Sequence, residues 1–374
     1  LKRKGNLYRD ICSVENLNLA DKKARKDKHN NQGIRLHDKN RESNILALHH
    51  MLLEKRYEPG TYEVFKVYEP KEREVYRSAY YPHRIMHHAV LNYLEPIFVS
   101  MFTADTYSCV KGKGIHGAFY AVKRALKDEA GTQYCLKLDV RKFYPSVDHD
   151  ILKALLRRKF KERDLLWLLD VIIDSAPGLP IGNYLSQYLA NFYLTGFDHW
   201  LKEVKRVQYY FRYADDLVIL APNKEMLHEL LQDIRTYLLQ HLKLEIKGNY
   251  QVFPVQQRGI DFVGYVFRHT HIRVRKRIKQ NCARKLKKTN NPNTLASYNG
   301  FLSHGECRHL KKKLFYEQMG RPEHTVRAAA FCRQKERNGG PAGPGDRDTR
   351  FQNRAIEVPG QGISLVPVDA NKDG

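Results

Sequence analysis

The sequence predicts an α+β protein, and two kinds of segment predict it. Short apolar runs bounded by turn residues read as strands: Tyr134 to Val140, and Val207 to Phe211 with Leu217 to Ala221. Longer stretches carry apolar residues at helical spacing: Ile151, Leu152, Leu155 and Leu156, and then Leu227, Leu230, Leu231, Ile234, Leu238 and Leu239 within Glu225 to His241. Two strands joined by a tight turn pair antiparallel, and an amphipathic helix supplies the cover that such a sheet needs.

Composition narrows the class further. A chain of 374 residues can hold two or three subdomains with a sizeable core. Lys and Arg number 65 against 41 acids, a net charge of +24, which is the electrostatic footprint of a nucleic-acid binder; solubility or attraction to a membrane surface would use the same charge. There is no apolar run of about 18 residues and no amino-terminal signal pattern, so a soluble, non-secreted protein is expected. The six cysteines lie far apart without a C-x-x-C pair, which argues for free thiols in a reducing cytosol. The start at Leu1 suggests a fragment.

Residues 1 to about 60 are charged and mostly helical in pattern, with a basic run from Lys22 to Lys28 and a helix face carrying Ile45, Leu46, Leu48 and Leu52. The basic run is either a solvated face or a grip on phosphates. Tyr62 to Tyr68 alternates and Lys71 to Arg77 is charged, as in a hairpin, and a helix pattern follows from Ile85 to Phe98. His83, His87 and His88 have helix-like spacing but no third metal ligand in a convincing place. Lys111-Gly112-Lys113-Gly114-Ile115-His116-Gly117 contains a G-x-G-x-x-G, but it is doubly basic and lacks the acidic residue that a dinucleotide site needs.

Two acidic settings carry the chemistry. Tyr134 to Val140 ends in Asp139, followed by Phe143, Tyr144 and Asp148, a candidate N-cap for the helix after it. Tyr213-Ala214-Asp215-Asp216 sits between two strand patterns, at a turn where both carboxylates can face one region of space. Asp at a hairpin turn is also simply common. An acid at the end of one strand with an acidic pair on a neighbouring hairpin forms a two-metal constellation, with ions roughly 3.5–4 Å apart for phosphoryl transfer. Hard oxygen ligands suit Mg²⁺.

Asp139 with an aromatic residue five positions on, then Ile181-Gly182-Asn183-Tyr184-Leu185-Ser186-Gln187, then Tyr213-Ala214-Asp215-Asp216, resemble in order the A, B and C motifs of reverse transcriptases. Ile181 and Gln187, where most such enzymes have Gln and Pro, resemble the enzymes of diversity-generating retroelements within the wider group II intron and retron-like bacterial set. The resemblance runs from about Leu7 to about Phe315. It implies a right-hand polymerase with fingers, a palm of antiparallel sheet plus helices, and a small helical thumb. The spans are 1–128 for an N-terminal extension and fingers, 129–270 for the palm with part of 151–187 packing on the fingers, 271–320 for the thumb, and 321–374 for a disordered tail centred on Gly339 to Gly345. Nothing in that tail resembles an RNase H, endonuclease or integrase domain.

The resemblance further implies an RNA-directed DNA polymerase in which Asp139, Asp215 and Asp216 hold two Mg²⁺ ions, Mn²⁺ being possible in their place. Arg84, Lys111, Lys113, Tyr144, Ile181, Gly182, Ser186, Gln187 and Tyr213 would contact nucleotide or template, Tyr144 excluding a ribose 2′-hydroxyl. Phe143 reads as a core aromatic. Many relatives carry a lysine as general acid where this chain has Tyr250; Lys243 and Lys247 are the candidates to substitute, and the general acid stays unassigned. Expected partners are template RNA, a DNA or RNA primer, dNTPs and a small basic oligomeric accessory variability protein, with no membrane, in a bacterial or phage-encoded cytoplasmic setting. Errors would gather at template adenines, in a mutagenic retrohoming role. A retron, group II intron or phage-defence reverse transcriptase, or a non-catalytic RNA-binding scaffold, are the alternatives. From Arg268 to Lys288 the chain is basic without an acid, as suits a duplex-tracking face, and His304, Cys307 and His309 make only a fragment of a zinc pattern.

Overall fold

The computed structural model describes residues 3–28, 31–68, 72–288 and 291–316, so the expected tail at 321–374 lies outside the described residues. The chain divides into two compact units, Leu1–Gln257 and Arg258–Gly374. The first opens with α1 (Tyr8–Cys12), α2 (Val14–Ala24), α3 (Gln32–Lys39) and α4 (Arg41–Leu53). Ser13 and Asn31 start α2 and α3 by accepting from the main-chain N–H groups of Asn16 and Ile34, which helix formation leaves unpartnered. Next come an antiparallel hairpin, β1 (Glu63–Val67) with β2 (Arg73–Arg77), and then α5 (Ile85–Val99) and α6 (Gly114–Ala125).

The centre of this unit is a four-stranded sheet of β3 (Tyr134–Asp139), β4 (Tyr209–Tyr213), β5 (Asp216–Ala221) and β6 (Gln251–Pro254), in the order β4-β5-β3-β6 and antiparallel throughout. Between its strands run α7 (His149–Lys159), α8 (Arg163–Ile173), α9 (Tyr184–His199) and α10 (Lys224–Leu242). Asp148 caps α7 as its sequence position predicts, accepting from the Ile151 N–H at 3.0 Å. Asn223 does the same for α10 through Met226. α10 lays Leu227, Leu231, Ile234, Leu238 and Leu242 on β3, β5 and β6. Strict 3.6-residue spacing selects those five and leaves Leu239, expected inward, 58% exposed.

A second expectation fails nearby. The span from Leu242 to Val255 reads as strand, yet α10 continues through Leu242 and is closed by Lys243 in the left-handed region (φ 49). Only β6 joins the sheet; the loop before it borders the end of β3 instead, with Val140 bridged to Ile246. β6 runs into a single helical turn, α11 (Val255–Arg258).

The second unit holds a three-stranded antiparallel sheet, β7 (Ile260–Phe262), β8 (Tyr265–Phe267) and β9 (Ile272–Val274), followed by α12 (Lys276–Lys288), α13 (Pro292–Leu302) and α14 (Arg308–Lys311). Its core is built on Tyr265, whose ring stacks on Phe301 at 4.6 Å and whose hydroxyl donates to the Phe301 carbonyl at 2.7 Å. Among the described residues the α+β class holds, with antiparallel sheets only, and no helix is long and apolar enough to cross a membrane. Cys12, Cys109, Cys135, Cys282 and Cys307 are free thiols.

Candidate active site

The register of the central sheet makes Asp139 and Asp216 direct cross-strand partners, so their side chains leave the same face. Asp215 occupies the turn between β4 and β5, and its carbonyl accepts from the Val140 N–H at 3.3 Å. The two strand ends are thereby stitched together, and the Asp215 carboxyl comes against that of Asp139. Burial first, and then the charge of Asp139, push the Asp215 carboxyl up to about 7.

Two lysines answer this negative charge. Lys247 Nζ lies 2.6 Å from Asp139 Oδ2, delivered by the loop after α10, whose Lys247 N–H also donates to the Asp139 carbonyl. Lys137, two residues along β3 from Asp139 and on the same face, lies 3.4 Å from Asp216 Oδ1. Asp139 Oδ1 stays buried without a hydrogen-bond partner. Lys243 is engaged elsewhere, 2.6 Å from Asp148, and the Tyr250 ring lies under the Arg235 guanidinium.

A divalent cation fits this donor set. The oxygens are hard, one is desolvated and unpartnered, and two carboxylates adjoin at a separation that leaves one of them reluctant to ionise. Among the described residues no three His, Cys, Asp or Glu side chains are grouped closely enough to hold a metal ion, so Asp139 and Asp215 adjoin without Asp216 completing a triad, and His304, Cys307 and His309 form no site either. An incomplete protein shell is the arrangement in which Mg²⁺ keeps water and substrate phosphate as its other ligands.

The turn that aims Asp215 is strained. Ala214 has φ +55, a left-handed conformation that costs a non-glycine residue on the order of 1–3 kcal/mol. Its N–H donates to Ser108 Oγ at 3.0 Å, and its carbonyl accepts from Arg212 at 3.2 Å. Arg212 is wholly buried and paired with Asp198 of α9. Sequence reading missed this group. Period-two alternation in β4 puts Arg212 on the face of Tyr210, and an arginine on an apolar face was the signal that a buried acid must meet it.

The other predicted residues fall into distinct settings. The Tyr144 phenol is pushed up by burial, then by Cys109 and Asp215, with the Arg73 charge opposing, so it belongs to the carboxylate neighbourhood. Gly178 (φ +60) backs it: a Cβ there would stand 2.5 Å from the Tyr144 carbonyl oxygen. Ile181 and Gly182 lie along β2. The Ile181 carbonyl accepts from the Tyr76 N–H at 2.8 Å, and Gly182, at φ +118, has no room for a side chain because its Cβ would meet the Tyr76 oxygen at 2.6 Å. Ser186 is buried, whereas Gln187 is exposed with Oε1 accepting from Cys109 Sγ at 3.1 Å. Burial pushes the Tyr213 phenol up to about 12.

Arg84 is half-buried, its guanidinium pushed down by burial, and among the described residues no carboxylate lies within ion-pair distance of it. Lys111 is exposed, and both neighbouring glycines, Gly112 (φ +81) and Gly114 (φ +58), face open space. Lys113 turns inward: its ammonium donates to the carbonyls of Thr103, Ala104 and Thr106 at 2.9–3.3 Å and lies over the Tyr107 ring. The structure therefore brings Asp139, Asp215, Asp216 and Tyr144 together, while Lys113 is held by the protein's own main chain.

Comparison with known proteins gives the family of the chain. Residues 70–267 match the family model described as reverse transcriptase (RNA-dependent DNA polymerase), more than half of the chain. The chain belongs to the reverse transcriptase family, and with it to the nucleotidyltransferases. Protein YkfC of Escherichia coli (strain K12) is 26% identical over 248 residues, covering 54% of this chain and 65% of that protein. A Schizosaccharomyces pombe protein described as an uncharacterized 91 kDa protein in cob intron is 25% identical over 123 residues, 30% of this chain and 15% of its own length. The chain thus spans less than two thirds of either relative. Among solved structures, apo telomerase from Candida tropicalis is similar with a TM-score of 0.48 at 12% identity, covering 75% of this chain and 59% of that one. Telomerase from Candida albicans with a telomeric RNA fragment gives 0.45 at 12% identity, covering 71% and 55%.

Proposed function

We propose that the protein copies an RNA template into DNA, with Asp139 and Asp215 as the principal ligands of two Mg²⁺ ions and Asp216 as the third acid. The observation that carries this is the adjoining pair Asp139 and Asp215, with one buried carboxylate oxygen that no protein donor satisfies. When bound, the ions would supply activation of the primer 3′-hydroxyl and neutralisation of charge at the α-phosphate and leaving pyrophosphate. The protein's own part is positioning: the strained Ala214 turn and β3 end fix the carboxylates, and Tyr144 forms a floor for the nucleotide sugar. Arg84 and Lys111 would meet phosphates, a role that the self-satisfied ammonium of Lys113 suits less well. Lys247, held by Asp139, stands close enough to the reacting region to be tested as a proton donor to pyrophosphate.

The fingers would span 1–128, the palm 129–270 and the thumb 271–320; the boundary between compact units at Gln257 and Arg258 falls inside the palm so defined. Template RNA, primer and dNTPs are the proposed substrates. Ile181 and Gln187 support the narrower reading of an adenine-mutagenic enzyme of a diversity-generating retroelement, working with a small basic accessory protein. Gln187 is exposed, with its carboxamide oxygen held by Cys109 Sγ, and its amide nitrogen is the group proposed to meet a nascent base pair. A second reading, an intron-type reverse transcriptase, is favoured by the relative described as lying in an intron.

The test is primer extension on a defined RNA template with Mg²⁺ and four dNTPs, followed by sequencing. Errors gathered at template adenines support the mutagenic reading, and faithful cDNA favours the intron-type or retron-type one. No product, even with a candidate accessory protein, would overturn the polymerase assignment in favour of an RNA-binding scaffold. Asp215→Ala is expected to abolish extension while leaving nucleic-acid binding near that of the parent.

A further inference from the structure

The catalytic turn is gripped from behind by a buried polar cluster that touches neither the carboxylates nor solvent. The Ala214 peptide N–H donates to Ser108 Oγ at 3.0 Å and its carbonyl accepts from Arg212 Nη1 at 3.2 Å, so both polar groups of the strained residue are held. The two holders converge on one atom. Asn191 Oδ1 accepts from Arg212 Nη1 at 2.8 Å and from Ser108 Oγ at 3.3 Å, and Asn191 Nδ2 returns a hydrogen bond to the Ser108 carbonyl at 2.9 Å. Arg212 is itself fixed by Asp198, whose oxygens also accept from Tyr210 and Thr106. Asn191 and Asp198 lie seven residues apart on α9, two turns along one face, and that helix begins in the Ile181–Gln187 segment.

The geometry points to Ser108, Asn191 and Arg212 as a positioning clamp that sets the main chain of Ala214, and through it the aim of the Asp215 carboxylate, while tying that aim to helix α9. The inference rests on the reading that Asp139 and Asp215 hold divalent ions. Without the clamp, a turn with a left-handed alanine relaxes toward the ordinary right-handed conformation and swings the next side chain away from Asp139. The clamp is wholly internal, so it acts on alignment rather than on substrate binding, and it should appear in kcat and metal affinity before KM.

Replacing Arg212 by an apolar residue strands the buried Asp198 and endangers folding, so Ser108→Ala carries the test by deleting a single oxygen. In the full chain, Ser108→Ala is expected to lower kcat for single-nucleotide addition by about tenfold to a hundredfold, with KM for dNTP within about twofold. Mn²⁺ affinity, measured by electron paramagnetic resonance without substrate, should weaken several-fold, and deuterium uptake at residues 209–217 should rise. Ser108→Thr, which keeps the hydroxyl, should restore all three. Parental kcat and Mn²⁺ affinity in Ser108→Ala would overturn the clamp, as would a kcat loss that Ser108→Thr fails to rescue. Asp215→Asn separates the two ideas: if it binds Mn²⁺ as the parent does, the metal reading itself falls, whereas parental behaviour confined to Ser108→Ala removes only the clamp.

Discussion

A wholly buried acid packed on β4 and a half-buried acidic pair just beyond its end are treated by the protein in opposite ways. Asp198 receives hydrogen bonds from Arg212, Tyr210 and Thr106, so its lone pairs are occupied and its charge is matched inside the fold. Asp139 and Asp215 face each other with Lys247 bonded to one oxygen, another oxygen left bare, and one proton held more tightly than a carboxylate usually holds it. A satisfied buried acid is architecture. A partly satisfied pair stores unfavourable electrostatics that a cation can relieve, which is the ground for the proposed metal site.

The largest effect expected from breaking this contrast is on activity. Asp215→Asn should reduce nucleotide addition by about a thousandfold or more, because metal-supported charge stabilisation is lost; a steady-state extension assay reads it, and residual activity above a few per cent would remove Asp215 from the metal shell. The mirror experiment is Asp198→Ala. It leaves the Arg212 guanidinium buried without its counter-charge and should cost about 3–5 kcal/mol of stability, seen as a shifted denaturant midpoint. An unshifted midpoint would mean that the Asp198 cluster is not the structural partner it is taken to be.

A smaller effect sharpens the comparison through pH. Since the folded Asp215 carboxyl titrates near 7 and the unfolded one near 3.8, the folded state binds more protons between those values. On this group's account, stability without divalent ions is greatest below about pH 4 and falls as pH rises through about 7. Asp215→Asn removes that slope. At pH 8 with a chelator it should be more stable than the parent by about 1–3 kcal/mol, and added Mg²⁺ should narrow the gap. A variant no more stable than its parent at pH 8 would show that the pair is not under electrostatic stress. The smallest expected difference lies in the glycine-rich loop. Lys113→Ala should lose roughly 1 kcal/mol of stability through its carbonyl contacts, with little change in the KM for dNTP. Lys111→Ala should leave stability unchanged and weaken binding with a shallower salt dependence, which filter binding at several ionic strengths measures.

Legibility in the sequence followed the range of the interactions concerned. Asp148 as the cap of α7, the hairpin carrying Asp215 and Asp216, and the strand ending in Asp139 were all readable, because capping, turn chemistry and alternation act over a few residues. The span from Leu242 to Val255 was misread because its apolar residues fit a strand as well as the end of a helix followed by a loop, and only packing of Leu242 under the sheet decided between them.

The sequence by itself determined the class of protein and pointed to the acids proposed to carry its chemistry, since three short motifs in fixed order each announce themselves locally. Tertiary structure alone decided which of those acids adjoin, that Lys247 and not Lys243 meets Asp139, that Lys113 serves the main chain, and that Ser108 and Asn191 hold the turn at Ala214. The physical reason is separation along the chain. Ser108 and Ala214 are 106 residues apart, so nothing in the local pattern of either could name its partner until the sheet and α9 had closed around them.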